Sequence, residues 1–183
     1  MSITGALVLA AGASRRFGSD KRRYLLEGKP LLTHTLEQVQ QAELPCRVCV
    51  GPDDGDLPVI LGVGGVEFIT CSEARRGMGA TLAQGVAACR DWSALLVVLG
   101  DMPWVTPATY RRIVAELRES NIVQPQFEGQ PGQPVGFGKA FFPELEALDG
   151  DVGGREVLRQ HPDLVCRVDV IDIGIHRDLD EAP

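Results

Sequence analysis

The sequence predicts an α/β fold over residues 1–183, a mostly parallel twisted sheet with helices on both faces, forming one domain. Three observations predict it. Short apolar runs alternate with stretches of helical periodicity through the first two thirds of the chain. The 21 Gly and 12 Pro fall between those stretches instead of gathering in a linker. The 183 residues, 44% hydrophobic and 23% charged, can bury about 70% of the unfolded surface in one core without disulfides or a structural metal.

The elements follow in order. Ala6-Leu7-Val8-Leu9-Ala10 is continuously apolar, as a central strand covered on both faces must be. Pro30, at a first helical position, opens a helix to about residue 42 with Leu31, Leu32, Leu36 and Val39 on one side. Strands are expected at 47–51, 66–70 and 94–99. Helices are expected at 79–89 and at 107–119, where Thr106 can cap and Pro107 opens the first turn. A short strand near 122–124, an extended piece near 134–137, helices at 139–148 and 153–160, and a last strand at 166–173 complete the chain. Right-handed crossovers between parallel strands place ligand sites beyond the carboxyl ends of the strands.

Charge narrows the function. With 18 Lys and Arg against 25 Asp and Glu, the net charge is −7, which argues against a nucleic-acid partner, since that affinity comes from neutralised phosphates. A small phosphorylated ligand needs only local positive charge. No apolar run reaches the length of a membrane span and the N-terminus does not read as a signal peptide, so no membrane partner and a cytoplasmic location are expected. Five cysteines, at 46, 49, 71, 89 and 166, form no framework and are expected as reduced thiols. Cys46 and Cys49 form a C-x-x-C, but on a strand they point to opposite faces.

Two strand ends carry chemistry. After the first strand comes Leu9-Ala10-Ala11-Gly12-Ala13-Ser14-Arg15-Arg16-Phe17-Gly18-Ser19-Asp20-Lys21. Small residues let the backbone approach a ligand and aim N–H groups at phosphate oxygens, and Arg15, Arg16 and Lys21 add cations. Neither G-x-x-x-x-G-K-[ST] nor G-x-G-x-x-G can be read there. An ordinary surface loop with solvated cations is the alternative. The run Leu95–Leu99 ends in Gly100-Asp101-Met102-Pro103. Asp101 suits Mg²⁺, which takes one or two carboxylates and leaves its other positions to phosphate and water; a turn-initiating Asp is the structural alternative. In a parallel sheet the two strand ends can face one crevice.

These residues resemble the molybdenum cofactor nucleotidyltransferases. Leu9-Ala10-Ala11-Gly12-x-Ser14-x-Arg16-Phe17-Gly18-x-x-Lys21 looks like that family's opening motif, and Gly100-Asp101-Met102-Pro103 like its metal-binding turn. Gly77-Met78-Gly79-Ala80-Thr81-Leu82 resembles its G-M-x-x-S-L, Gly132-Gln133-Pro134-Val135 its G-x-P-V, and Gly150-Asp151-Val152-Gly153-Gly154-Arg155 its G-D-x-G-x-R. The five matches occur in order along nearly the whole chain. The resemblance implies a three-layer Rossmann-like nucleotidyltransferase fold and transfer of a nucleotide to a molybdopterin-type cofactor with release of pyrophosphate. The Ala10-Ala11-Gly12 form resembles the cytidylyltransferase branch, which implies CTP. The alternatives are GTP, another small phosphate acceptor, or a non-catalytic cofactor carrier or insertion chaperone. A molybdoenzyme receiving the product would be a further partner.

The resemblance also implies roles. Leu9, Ala10, Ala11, Gly12, Ala13 and Ser14, with Cys71 and Gly79, would contact the nucleotide. Arg16 and Lys21 would neutralise its phosphates and Asp101 would hold Mg²⁺, these three being the expected catalytic residues. Gly132, Pro134, Asp151 and Arg155 would meet the acceptor. Two departures stand out. The family's C-terminal D-I-D-T-P-x-D-L reads Asp172-Ile173-Gly174-Ile175-His176-Arg177-Asp178-Leu179 here, so a metal-binding Asp is replaced by Gly174. Asp172 would replace it if the extended backbone persists, because residues two apart share a strand face. Cys71 stands where the family often has a polar residue near the base, and a thiol is a weak hydrogen-bond partner; Thr70 or Ser72 would then supply that contact.

Overall fold

The computed structural model describes residues 3–12 and 20–179. Its main sheet has eight strands in the order β10-β7-β9-β6-β1-β4-β5, with β8 beside β7. The strands are β1 (Thr4–Leu9), β4 (Cys46–Val50), β5 (Val66–Thr70), β6 (Ala94–Leu99), β7 (Ile122–Phe127), β8 (Gln130–Pro131), β9 (Val135–Gly138) and β10 (Val165–Asp169). A hairpin of β2 (Leu25–Leu26) and β3 (Lys29–Pro30) stands apart. Glu27 and Gly28, both at positive φ, form its two-residue turn. The helices are α1 (Leu31–Gln41), α2 (Leu57–Leu61), α3 (Met78–Ala87), α4 (Pro107–Glu116), α5 (Phe142–Glu146) and α6 (Arg155–Gln160).

The apolar run of β1 is explained by its neighbours. It pairs in parallel with β4 on one side and β6 on the other. Ala6, Val8 and Ala10 pack with Leu32, Leu36 and Val39 of α1 and with Tyr110 and Ile113 of α4. Leu7 enters the opposite layer with Leu82 and Val86 of α3, Leu145 of α5 and Val157 of α6. Helices therefore cover both faces, which makes three layers. Cys46 lies in the first layer and Cys49 in the second, as alternation along a strand requires. All five cysteines are free thiols.

Some boundaries differ from the sequence reading. Pro30 is the residue before α1 instead of its first residue. The helix expected at 139–148 is a 3₁₀ turn at Lys139–Phe141 followed by the short α5. β9 runs antiparallel to β6 and β7, which a pattern of apolar residues cannot specify. The last strand stops at Asp169, and Ile173–His176 form a 3₁₀ turn whose first amide donors are met by Asp172. No helix among the described residues is long and apolar enough to cross a membrane.

Candidate active site at the carboxyl ends of β1 and β6

Parallel pairing in register, Leu9 opposite Leu99, makes the exits of β1 and β6 neighbours. The Gly100 amide donates to the Leu9 carbonyl at 3.1 Å, and a methyl built on Gly100 would sit 3.1 Å from that oxygen. The approach sets Gly100, and with it the start of the Asp101 turn, against Ala10. Lys21, in the 3₁₀ turn Lys21–Arg23, donates from Nζ to Asp101 Oδ2 at 2.9 Å. Its side chain is 11% exposed, against 32% for Asp101. Thr35 Oγ1 of α1 donates to the Gly100 carbonyl at 3.0 Å, and the Leu179 amide to the Asp101 carbonyl at 3.1 Å. The turn is thus held from a helix and from the C-terminal segment. A buried ammonium beside a partly exposed carboxylate supplies one group for phosphate oxygens and one for a hard cation. Ala13, Ser14, Arg15 and Arg16 lie outside the described residues.

Sequence reading missed Thr35, Arg22 and Asp54 here. Arg22 binds both Asp20 and Asp54, while Asp20 also accepts from Arg23 Nε at 2.8 Å. Burial alone would push the Asp20 carboxyl up. Hydrogen bonds from Arg22 and Arg23 more than offset it and hold the group below the ordinary carboxylate range. The clue was legible: Lys21-Arg22-Arg23 faces an acidic stretch, Asp53-Asp54-Gly55-Asp56, at another strand end.

The other motifs fall into two groups. Gly77 and Gly79 pack against the 149–152 turn: the Gly79 amide donates to the Gly150 carbonyl at 2.8 Å, and a methyl on Gly79 would lie 2.4 Å from the Val152 carbonyl oxygen. Gly79 is buried and makes this contact. Asp151 and Arg155 are exposed, and Arg155 borders a shallow cavity of about 420 Å³ with Val152, Gly153, Glu156 and Arg159. In the second group Gly132 and Pro134 are buried, with the Gln133 amide on the Ile175 carbonyl at 3.0 Å and no room for a side chain at Gly132. Both help to seat the C-terminal segment.

Cys71 and Asp172 are both buried. Cys71 is fully buried, its thiol directed at the Ile69 and Thr81 carbonyls and its amide bound to the Val50 carbonyl, so no polar group is presented to a base. Asp172 is buried, with 7% of the residue exposed. It accepts from the Thr106 amide and Oγ1 at 2.9 Å each, from Thr109 Oγ1 at 2.5 Å and from the Gly174 amide at 2.9 Å. It ties the start of α4 to the 3₁₀ turn at Ile173–His176. The backbone after it turns, so the strand face assumed to be shared with position 174 does not exist. A methyl at Gly174 would sit 2.2 Å from the Trp104 carbonyl oxygen, so an Asp does not fit there without backbone movement.

Comparison with known proteins agrees with this layout. "Probable molybdenum cofactor guanylyltransferase" of Pyrococcus horikoshii is 34% identical over 115 residues, 63% of this chain and 57% of that protein. "Bifunctional protein GlmU" of Koribacter versatilis is 29% identical over 138 residues, 73% of this chain but 29% of that protein. The chain therefore spans little more than half, or less, of these curated relatives. Among solved structures, Rv0371c of Mycobacterium tuberculosis superposes with a TM-score of 0.83 at 25% identity, covering 96% of this chain and 94% of that one. The same protein has been solved with manganese, with a TM-score of 0.78 at 24% identity, over 92% of this chain and 88% of that one. The model of the MobA-like NTP transferase domain matches residues 6–165. That span holds β1, the Lys21 turn and Asp101, and by it the chain belongs to the MobA-like NTP transferase domain family.

Proposed function

We propose that this protein transfers CMP from CTP to the terminal phosphate of a molybdopterin-type cofactor and releases pyrophosphate. The observation that carries the reading is the Lys21–Asp101 pair at the adjoining exits of β1 and β6. In-line attack of a phosphate oxygen on the α-phosphorus asks little covalent chemistry of the protein, because a phosphate monoester is already largely ionised near neutral pH. The protein must hold two anions together and offset charge growing on the departing pyrophosphate. Lys21 would do the second. The Ala10 amide is taken by the Cys49 carbonyl at 2.9 Å, so the backbone amides from Ala11 to Ser14, with Arg16, would orient the triphosphate.

The donor set fits Mg²⁺. Asp101 offers a hard carboxylate, which suits a cation that takes its other ligands from phosphate and water. Such an ion would supply charge neutralisation at the phosphates. The manganese complex of the similar mycobacterial protein supports a divalent metal. Asp151 and Arg155 would meet the acceptor. Ala11 supports CTP, since its methyl narrows the space that a glycine would leave for a purine. A second reading, GTP, is favoured by the guanylyltransferase relatives.

The test is pyrophosphate release with Mg²⁺, each of CTP, GTP, UTP and ATP, and either molybdopterin cofactor or sugar phosphates as acceptor. Release that requires both CTP and the cofactor is expected. Asp101→Ala should lower turnover by about 10²-fold or more with an unchanged circular dichroism spectrum. Turnover driven by GTP would reassign the nucleotide. Cofactor binding without turnover of any nucleotide would make the protein a carrier.

A further inference from the structure

Arg22 lies next to Lys21 at the end of the Gly-rich stretch, where a cation invites assignment to phosphate. Its hydrogen bonds exclude that. A guanidinium has five N–H donors, and all five are used within the protein. Nε donates to Asp20 Oδ1 at 2.7 Å and Nη2 to Asp20 Oδ2 at 2.8 Å. Nη2 also donates to Asp54 Oδ1 at 2.8 Å, and Nη1 donates to Asp54 Oδ2. The remaining donor, on Nη1, reaches the Ala10 carbonyl at 2.7 Å. Asp54, itself 9% exposed, also accepts from the Gly51 amide at 2.6 Å.

One planar group therefore joins the exit of β1 at Ala10, the far end of the Gly-rich stretch at Asp20, and the loop after β4. The Ala10–Ala11 peptide is trans, so fixing the Ala10 carbonyl on Arg22 turns the Ala11 amide the opposite way. We propose that Arg22, backed by Asp54, is the positioning residue of the nucleotide site: it sets the orientation of the first backbone amide offered to the triphosphate and touches no substrate itself. The proposal rests on the nucleotidyl-transfer reading above.

The bidentate geometry makes a sharp test, because lysine can replace arginine as a point charge for phosphate but its three donors cannot form two carboxylate forks and a carbonyl bond, which take five. Arg22→Met, Arg22→Lys and Asp54→Asn are compared with the unaltered protein by calorimetric titration with Mg²⁺–CTP and Mg²⁺–GTP, alongside steady-state pyrophosphate release. Arg22→Met should weaken nucleotide binding and raise the nucleotide KM by about tenfold or more, leaving the acceptor KM unchanged and kcat at saturating nucleotide within about threefold. Arg22→Lys should recover little of the loss, and Asp54→Asn should shift KM in the same direction by a smaller factor. Nucleotide affinity within about twofold of the unaltered protein in folded Arg22→Met or Asp54→Asn would overturn the proposal, as would full recovery by Arg22→Lys, which marks a direct phosphate contact. An unaltered protein that binds neither nucleotide would overturn the nucleotidyl-transfer reading and this proposal with it.

Discussion

Four donors converge on the Asp172 carboxylate: the Thr106 amide and hydroxyl and the Thr109 hydroxyl tie it to the start of α4, and the Gly174 amide ties it to the 3₁₀ turn that follows. Thr106 and Pro107 were legible as a helix start. The side chain that caps it was not, because it comes from 66 residues further along the chain. The same distance hid the metal question: a carboxylate already satisfied by four donors has little to offer a cation. Asp172→Ala should cost about 1–3 kcal/mol in urea unfolding, through the lost cap and the unpaired hydroxyls. Metal activation of Asp172→Asn should match that of the unaltered protein once stability is taken into account. Asp101 differs because only one of its carboxylate oxygens is engaged by Lys21 and its side chain stays partly open.

At the scale of elements, the meeting of α3 with the 149–152 turn shows how two motifs far apart in the chain acquire one purpose. Each was readable as a glycine pattern. That they pack on each other was not, since no residue in either specifies a partner. Gly79→Ala puts two effects in competition. Removing a glycine from a helix gains about 1 kcal/mol of intrinsic propensity. The added methyl, 2.4 Å from the Val152 carbonyl oxygen and 2.8 Å from that of Asp149, forces backbone apart at a cost of about 1–3 kcal/mol. The clash should win, and the melting temperature should fall; a rise would show that the turn yields freely. Likewise, the parallel strands were found by their apolar runs, whereas β9 was seen only as an extended piece. Its direction is fixed by ladder partners in β6 and β7.

For the molecule as a whole, the opening apolar run was enough to predict a sheet covered on both faces, because a strand with one wet face would alternate. Strand order was not readable: that the two strand ends can face one crevice followed from a parallel sheet, whereas their direct pairing and the Lys21–Asp101 bond did not. Two-sided coverage also governs the thiols. Cys46, Cys49, Cys71 and Cys89 are buried and Cys166 is half-buried. Burial pushes Cys46 up to about 12 and Cys89 up to about 11, so neither offers much thiolate near neutral pH. An alkylating reagent should therefore modify Cys166 in the native protein and the other four only on unfolding, as counted by intact mass. Cys46 sits in the layer of α1 and α4, and Cys89 in the layer of α3 and α5. The protein thus carries a clock on each side of its sheet: equal labelling rates would mean that both layers open as one unit, and unequal rates would name the layer that yields first.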